Sequence, residues 1–453
     1  MRSLKIIGIV STLVWMSSFI SPVFGQTENA APAAEAEETE NFAHRILNIF
    51  EFGAVGDGQS HPLKKTFASQ EEIDTKYGSD RYTLEDEADF VAIMEALRAA
   101  NSAANFKINR TKGASAVIGI PSIYIPQGRY LINRTIPVSD IRGGTIFGDG
   151  KRQSHLKFTG KDQPLFHVQR CAEFAFSKLE LRSTIQENAT AFLLEDTLHE
   201  GPGEPTYHFD FDGVYIQEFA MGVMTIGRNM TDSLNFHNCR WRNCLTAVRL
   251  NNHQCMGVHF VNCYFGFSTA ELKNVPEGRI PIVFHVNQGG NITMMGGYVI
   301  NHKGTTLLLD PASEEVSFSP INWSTGFYNF YGVRWEQPNG EDPMLFDVNP
   351  EAKYYTSYVA RVNFDNCVLY QRTAAEGGSV GALHPGSNVT FRNTMFNKNK
   401  AFIQEVVDPK QEEKRRGILI LDNVSGLQYT ADENAPYHHV IERRGPEPVF
   451  DPH

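Results

Sequence analysis

Residues Leu234 to Trp241 read LNFHNCRW, and residues Val258 to Phe265 repeat the pattern as VHFVNCYF. In each copy two apolar residues, spaced one residue apart, precede an asparagine. Apolar residues at every second position are typical of a strand with one buried face. Asparagine tolerates the left-handed backbone of a tight turn. Each copy therefore predicts a strand, a sharp turn at the asparagine and a second strand.

The same pattern returns along most of the chain, although the steps between copies are uneven. We call the turn residue the anchor, and the anchors are Lys178, Gly213, Asn238, Asn262, Gly296, Gly332, Asn366, Asn393 and Asn423. Two positions earlier stand Phe176, Phe211, Phe236, Phe260, Met294, Phe330, Phe364, Phe391 and Leu421. Four positions earlier stand Phe174, Phe209, Leu234, Val258, Ile292, Tyr328, Val362, Val389 and Leu419. Two apolar columns predict a coil of fixed cross-section whose loops vary in length.

After the anchor, a second strand is predicted to bury Cys239, Trp241, Cys263, Phe265, Val333 and Trp335. A third strand is predicted in LFHVQ, TAVRLN, IVFHVN, TTLLLD and PMLFDV, which begin at Leu165, Thr246, Ile282, Thr305 and Pro343. Three strands per coil predict an all-β fold, a single-stranded right-handed parallel β-helix of about ten coils, each buried only by its neighbours. A many-stranded β-sandwich is the alternative, but its strands would not hold one pattern in phase over so many copies.

The first coil of such a helix needs a cover, and an N-terminal capping α-helix is predicted over residues 83–104. Thr83 is the expected N-cap, acidic residues follow in the first turns, and one face is apolar. That face carries Phe90, Ile93, Met94 and Leu97. The next segment, AVIGIPSIYIPQGRYLI, has apolar runs broken by Pro126 and Gly128 and predicts the first strands to be covered.

The segment FEFGAVGDG, the capping helix, IYIPQGRYLI and GGTIFGDG together resemble the start of the pectate lyase superfamily. The resemblance is to the subgroup shared by secreted polysaccharide lyases, exo-glucanases and phage tailspikes, and it implies a polygalacturonase-related, carbohydrate-active protein. In that family the Gly-Asp-Gly segment is a turn. A nucleotide site at Gly53, Gly56 and Gly58 is disfavoured, because no helix begins directly after the glycines. The chain lacks the Asn-Thr-Asp, His-Gly and Arg-Ile-Lys signatures of polygalacturonases and the Arg-x-Pro-x-x-Arg of calcium-dependent pectate lyases.

Residues 1–25 have the composition of a cleaved signal peptide: Arg2 and Lys5 precede an apolar stretch, and small residues end at Gly25. A transmembrane anchor is the alternative, but the apolar stretch is short for a bilayer span. Residues 26–44 are rich in Ala and Glu and predict a disordered leader. The β-helix domain is expected over residues 45–453. We expect the mature protein to be secreted or periplasmic, without a membrane span.

The formal net charge is -11, which disfavours nucleic acid as a general partner. The expected partner is a polysaccharide, and an acidic one would need a local basic cluster or a bridging cation, so calcium stays open as a cofactor. The 6 cysteines do not form a dense disulfide framework. Cys239 and Cys263 stand one coil apart in one column, and both a disulfide and two free thiols are compatible with that placement. The oligomeric state is open.

The strongest candidate site lies on the third strand of successive coils, because residues one coil apart become neighbours. The residues expected to point outward there are His167, Thr225, Arg249, His285 and Asp347, followed at the next outward position by Asn251, Asn287 and Asn349. Arg249 and His285 should lie roughly 5 Å apart at the backbone. His253 follows in the turn after Arg249 and can reach the same surface.

This pairing fits β-elimination from a uronic acid polymer. Removing the proton next to a carboxylate requires neutralisation of that carboxylate and a base within reach of the carbon. Arg249 could supply the first and a neutral His285 the second. The alternatives are a glycoside hydrolase that uses Glu336 and Asp347 as its paired carboxylates, and a non-catalytic, glycan-binding or adhesive solenoid. Both residues of the pair could also be ordinary solvated surface residues.

Two further outward faces compete with this site. The first strand set carries His208, Asp210, Asp212, Asn235, His237 and His259; no short metal-binding spacing occurs among them, so a polar face is favoured and no metal site is assigned. The second strand set carries Tyr215, Arg240, Tyr264, Tyr298 and Arg334, flanked by Arg242 and Glu336. Tyrosine faces bind sugar rings and arginine pairs with carboxylate, so a substrate-binding role is predicted for Tyr264, Tyr298, Arg240 and Arg334, with an ordinary β-sheet surface pattern as the alternative. Asn251 and Asn287, next to Arg249 and His285, are also predicted to bind substrate.

Overall fold

The structure is a computed structural model that describes the chain from Ile46 onward with gaps. The described residues are 46–104, 106–109, 115–196, 206–227, 231–252, 254–267, 275, 277, 279–289, 291–300, 304–309, 325–337, 344–348, 359–371, 379–383, 387–397, 402–405, 418–427 and 439–443. The predicted signal peptide and leader lie outside them, as do the site candidates His253 and Asn349. None of the helices described is long and apolar enough to cross a bilayer.

Three sheets built almost entirely from parallel strands form the molecule, and successive strands of the chain pass from sheet to sheet. Sheet 1 has 15 strands: Leu47–Asn48, Phe106–Asn109, Ser115–Ile118, Ile123–Ile125, Ile141–Gly148, Ala172–Ser177, Tyr207–Asp212, Leu234–His237, Val258–Val261, Ile292–Met295, Thr325–Tyr331, Val359–Asp365, Ser387–Arg392, Ile418–Asp422 and His439–Arg443. The antiparallel exception is the pair Phe106–Asn109 and Ser115–Ile118.

Sheets 2 and 3 contain 10 strands each. Sheet 2 comprises Gly128–Ile132, Ser154–Phe158, Glu180–Arg182, Tyr215–Gln217, Arg240–Arg242, Tyr264–Gly266, Tyr298–Ile300, Arg334–Gln337, Val368–Gln371 and Met395–Asn397. Sheet 3 comprises Ile136–Ser139, Pro164–Gln169, Thr190–Glu195, Met221–Gly227, Thr246–Asn252, Ile282–Gln288, Thr305–Leu309, Met344–Val348, Ser379–Leu383 and Phe402–Glu405. The chain is therefore the single-stranded right-handed parallel β-helix that the repeats predict, with three strands per coil.

The anchor residues make the turn from sheet 1 to sheet 2 in the way the sequence predicts. Every anchor has a positive φ, between 46° and 65°. From Lys178 to Asn393, the N–H group of each anchor donates to the carbonyl just before the anchor of the next coil, as from Asn238 to Val261 and from Asn262 to Met295. The left-handed turn thus also supplies a hydrogen bond between coils.

The predicted inward columns are buried. Phe236 and Phe260 pair in register, and their rings lie 4.8 Å apart with an angle of 6° between the planes. Met294 then takes one place in the file, and Phe330 and Phe364 resume the stacking at 5.1 Å. These stacked side chains form a file along the interior side of sheet 1, and each coil contributes one of them.

The side chain that follows the anchor points inward and, where it carries a thiol or a hydroxyl, donates a hydrogen bond to the previous coil. The thiols of Cys239, Cys263 and Cys367 donate to the carbonyls of Phe211, Phe236 and Phe330 over 3.3 Å, and the Thr394 hydroxyl donates to the Phe364 carbonyl over the same distance. All six cysteines are buried, free thiols, so Cys239 and Cys263 do not form a disulfide. Burial raises the pKa of Cys171 and Cys244 to about 12 and that of Cys367 to about 11.

Helix α1 spans Gln70–Tyr77 and was not predicted; helix α2 spans Ala88–Ser102 and is the predicted cap. Helix α2 covers the first coil, and helix α1 precedes it in the chain. Among the described residues, 3-10 turns occur at Ile49–Phe52 and Leu63–Lys65, before the helices, and at Ile185–Glu187, between strands of sheets 2 and 3. The predicted N-cap is wrong: α2 begins after Glu87, because Thr83 closes a separate turn in which its N–H donates to Asp86. Phe90, Ile93 and Leu97 are buried as predicted, and Met94 is half-buried.

Asp89, in the first turn of α2, joins the glycine-rich segment to the first coil. Its side chain is buried, and its carboxylate accepts N–H bonds from Val55 at 2.7 Å, Gly56 at 3.1 Å and Leu131 at 2.9 Å. Burial raises the pKa of this carboxyl, and the three donors oppose the rise. The backbone N–H groups that could have cradled a phosphate are therefore already used within the fold.

We predict that Asn262→Ala lowers the free energy of unfolding by about 1–2 kcal/mol, because the left-handed backbone at this position is sterically unfavourable for alanine. Asn262→Gly should stay close to the wild type, since glycine adopts positive φ freely. Urea unfolding monitored by tryptophan fluorescence measures both variants. Equal stability of the alanine and glycine variants would contradict the role of the anchor.

Asp89→Ala should lower the free energy of unfolding by more than Asn262→Ala does, because each of three N–H groups left without an acceptor costs about 1–3 kcal/mol. Hydrogen exchange at Val55, Gly56 and Leu131 should accelerate together in this variant. Glu71→Ala, on the exposed first turn of α1, is the matched control for loss of an acidic side chain in a helix start. If the Asp89 and Glu71 variants unfold alike, Asp89 does not hold the cap.

Candidate functional site

The outer face of sheet 3 brings Arg249 and His285 together as predicted. They are direct partners on the neighbouring strands Thr246–Asn252 and Ile282–Gln288, and both side chains are half-buried. The same outward column contains His167, Leu193, Met224, Leu308 and Asp347 in other coils. Adjacent members of the column are about 4.8 Å apart at the backbone.

The prediction for Thr225 is wrong. Met224 occupies the outward position opposite Arg249, and Thr225 is fully buried, where its hydroxyl accepts the N–H of Asn251 at 3.2 Å. The segment MGVMTIG does not alternate cleanly between apolar and polar residues, so its phase could not be read from the sequence. A shift of one residue moves a side chain to the other face of the sheet.

A break in register places Asn287 between the two predicted catalytic residues. Leu250 pairs with Val286, but Asn251 pairs with Gln288, so Asn287 is the extra residue of a β-bulge. Its Oδ1 atom accepts from Nε of Arg249 at 2.7 Å, and its Nδ2 atom lies 3.2 Å from Nε2 of His285. Bulges commonly re-aim a side chain beside an active site.

The three side chains fix the proton on His285. Arginine only donates, so the Asn287 oxygen must face Arg249 and the Asn287 amide N–H must face His285. Nε2 of His285 must then be the acceptor, and the imidazole carries its proton on Nδ1. A protonated imidazole has no lone pair to offer at Nε2. The arrangement therefore favours a neutral His285 whose Nε2 lone pair lies on the side of Arg249.

Asn251 and Asn287 are less exposed than predicted, with 6% and 7% of their surface accessible. The Oδ1 atom of Asn251 is buried and has no hydrogen-bond partner within the part of the chain that the structure describes. Next to it, Asn252 is fully buried and donates to Asp196 and Thr231 at 3.0 Å. A buried amide oxygen without a donor is costly, and such groups are concentrated at sites that take a ligand or water.

The upstream end of the same face is occupied by a contact that the sequence analysis missed. His167 lies 2.6 Å from a Glu195 carboxylate oxygen, and Gln169 donates to the same oxygen at 2.9 Å. Glu195 ends its sheet 3 strand just before residues outside the described part, and its pairing with Gln169 could have been found only by aligning the two coils. His167 is therefore tied to a carboxylate.

The two carboxylates of the hydrolase alternative lie on different sheets. Asp347 is on the outer face of sheet 3, with Leu308 in the coil between it and His285. Glu336 is on sheet 2, where Arg334 forms an ion pair with it at 2.6 Å. The pair thus does not share a face, and its catalytic role stays a prediction.

The outer face of sheet 2 carries the predicted tyrosine and arginine residues in one register. Tyr215, Arg240, Tyr264, Tyr298 and Arg334 are successive partners, one per coil. Tyr298 is exposed and the Arg240 guanidinium lies 4.7 Å from the centre of the Tyr264 ring. Tyr215 is buried, unlike the prediction, because the Lys151 ammonium covers its ring at 4.2 Å. We call these five residues the sheet 2 stripe.

The polar residues of sheet 1 lie side by side as predicted. Asp210, Asn235 and His259 share one outward column, and Asp212 and His237 share the next. Asn235 donates to Asp210 at 3.0 Å, and Asn238 donates to Asp212 at 3.3 Å. Within the described ranges, no group of three or more His, Cys, Asp or Glu side chains is arranged to hold a metal ion. These contacts describe a hydrogen-bonded polar surface.

A cleft of about 440 Å³ lies at the capped end, between α2 and the first strands of sheets 1 and 3. Its charged groups bind one another: Glu95 accepts from the Tyr82 hydroxyl at 2.8 Å and from Arg98 at 2.6 Å. Burial, followed by the bond to Glu95, raises the pKa of Tyr82. The cleft is separate from the Arg249 and His285 face, and its polar groups serve the cap.

No family model matches the chain, and no curated protein matches it. Among solved structures, the tailspike protein gp49 from Pseudomonas phage LKA1 is 13% identical, with 87% of this chain and 84% of that one covered and a TM-score of 0.45. The Azotobacter vinelandii mannuronan C-5 epimerase AlgE4 A-module is 14% identical over 87% and 100% of the two chains, with a TM-score of 0.40.

A third similar structure is the catalytic unit of a GH87 alpha-1,3-glucanase from Streptomyces thermodiastaticus. It is 12% identical, with 91% of this chain and 69% of that one covered and a TM-score of 0.41. Nothing about the chemistry of this chain follows from likenesses at this level of identity.

We predict that His285 carries its proton on Nδ1 at neutral pH and that Asn287→Ala removes this preference, because the amide donor to Nε2 is lost. The nitrogen chemical shifts of histidine-labelled protein report the tautomer directly. His259→Ala, which removes an exposed histidine of sheet 1, serves as an assignment control. An Nε2-protonated or doubly protonated His285 in the wild type would show that the Asn287 contact is not the one described.

Proposed function

We propose that this protein is a polysaccharide lyase that cleaves an acidic, uronate-containing glycan by β-elimination at the outer face of sheet 3. The observation that carries the proposal is the contact chain from Arg249 through Asn287 to Nε2 of His285. It sets a permanent cation beside a neutral imidazole. The N-terminal motifs that resemble the pectate lyase superfamily support the same class of substrate.

Arg249 is the proposed partner of the substrate carboxylate. Guanidinium pairs with carboxylate through two parallel N–H bonds, and the Nε contact to Asn287 fixes the plane of that fork. Binding the carboxylate in this way spreads the charge that develops when the adjacent carbon loses its proton. Lysine cannot reproduce the planar fork.

His285 is the proposed base. Its Nε2 lone pair takes the proton from the carbon next to the carboxylate, replacing the amide N–H of Asn287, whose 3.2 Å contact is long. The electrons of that C–H bond form the new carbon–carbon double bond as the bond to the glycosidic oxygen breaks. The departing oxygen takes up a proton from the imidazolium or from water. The products are an unsaturated uronate end and a free hydroxyl on the released sugar.

Asn251 lies on the same strand as Arg249, but its unpartnered Oδ1 atom is buried, so its role in substrate binding stays a prediction. A requirement for calcium is tested by repeating the assay with a chelator. We also propose, from the character of residues 1–25, that the protein acts outside the cytoplasm.

The test is turnover of pectate, alginate and glucuronan, followed by ultraviolet absorbance of unsaturated ends and by reducing-sugar release. His285→Ala should lower kcat by about 10²–10⁴-fold, the usual contribution of a general base. Arg249→Lys should lose most activity, since lysine lacks the fork. His259→Ala, an exposed histidine on sheet 1, is the matched control and should keep wild-type turnover.

Full activity of His285→Ala would remove His285 as the base. Reducing-sugar release without ultraviolet absorbance would replace the lyase by a hydrolase. Retention on the polymers without either product would leave a glycan-binding solenoid.

A further inference from the structure

A cluster of cations lies on sheet 2, on a different face from the proposed catalytic residues. The Lys151 ammonium is 4.2 Å from the centre of the Tyr215 ring, the Arg240 guanidinium covers Tyr264, and Arg242 lies beside Tyr215, which raises the pKa of its guanidinium. We call Lys151, Arg240 and Arg242 the cationic patch. It adjoins the sheet 2 stripe, whose next members are Tyr264 and Tyr298.

Two acids, Glu180 near Lys151 and Glu218 near Arg242, act on the patch electrostatically without pairing with it. None of its three cations forms a salt bridge to a carboxylate among the residues that the structure describes, whereas Arg182 pairs with Glu218 and Arg334 with Glu336 nearby. The closest acid, Glu180, is buried and already accepts from the Arg152 N–H and the Gln217 amide. Three mutually repelling cations in a chain of net charge -11 are not explained by folding.

The ionisation of Lys151 reflects the same crowding. Burial first, and then the charges of Arg240, Arg152 and Arg242, lower its pKa. A bound anion would relieve this repulsion, since it would supply the paired opposite charge that the patch lacks.

We propose that the cationic patch and the exposed Tyr298 ring of the sheet 2 stripe form a second binding surface, which holds an anionic polysaccharide without cleaving it. The Tyr298 ring would take the apolar face of a sugar ring, and the cations would pair with carboxylate or sulfate groups. The register places one stripe residue in each coil, so the surface has a repeat of about 4.8 Å along the helix axis. The surface goes beyond the proposed lyase reaction and does not depend on it.

Nucleic acid fits this surface less well. Double-stranded DNA carries one charge per about 1.7 Å of its axis, several times denser than one stripe residue per coil. Tyr264 is half-buried under Arg240, which leaves Tyr298 as the exposed ring and gives no run of open rings for successive bases. The acidic remainder of the chain would repel a highly charged duplex.

The experiment is affinity electrophoresis of the full chain through gels that contain polygalacturonate, with dextran as the neutral polymer. Arg240→Ala should raise the apparent Kd for polygalacturonate about tenfold, the loss expected when one charge-assisted contact is removed. Tyr298→Ala should weaken binding and Tyr298→Phe should preserve it, because the exposed ring face makes the contact. Raising the salt concentration should weaken retention by the wild type.

Arg361→Ala is the matched control, since Arg361 also lies over an aromatic ring, at 5.5 Å from Phe327, but on sheet 1. It should retain wild-type retardation, and so should His285→Ala, which separates this surface from the lyase proposal. If Arg361→Ala and Arg240→Ala weaken retention equally, the retention depends only on the overall charge of the protein, and the proposal is overturned. Absence of retention of the wild type, or tighter binding of single-stranded DNA than of polygalacturonate, would also overturn it.

Discussion

The left-handed turn at one residue per coil is the constraint on which this structure depends. It turns the chain from sheet 1 into sheet 2 without adding residues, so the apolar residue two positions earlier points inward. Each anchor from Lys178 to Asn393 also donates its N–H to the next coil, which sets the stacking distance locally. Loops of very different length can then be inserted elsewhere in the coil while the interior file and the three outer faces stay in register.

The coil plan could be predicted from the sequence because its signals are local. Alternation and an anchor lie within eight residues, as in LNFHNCRW, and the structure places Phe236, Phe260 and Phe364 in one file. Local signals failed where the pattern was ambiguous. Thr225 was given the wrong face because MGVMTIG alternates poorly, and Thr83 was given the cap because a turn precedes the helix start at Ala88.

The candidate site was only partly predictable for a different reason. The Arg249 and His285 partnership follows from counting residues within two similar strands. The bulge that inserts Asn287 between them is a property of the pairing of the strands, and neither strand shows it alone. The covering of Tyr215 by Lys151 likewise joins segments that are remote in sequence. Contacts between coils therefore decide which outward residues are available to a ligand, and a periodic pattern describes only which face they share.

The cysteine thiols that follow the anchors determine how the coil interior responds to oxidants and reductants. Cys239, Cys263 and Cys367 each serve as a small inward donor, a task that Thr394 performs equally well with a hydroxyl. Burial raises the pKa of Cys239 and Cys367, which holds these two thiols in the protonated form that oxidants attack poorly, and all three sulfur atoms are buried beyond the reach of a foreign thiol. No disulfide closes the coil interior, so a change in the thiol–disulfide balance of the surroundings has no covalent cross-link to break.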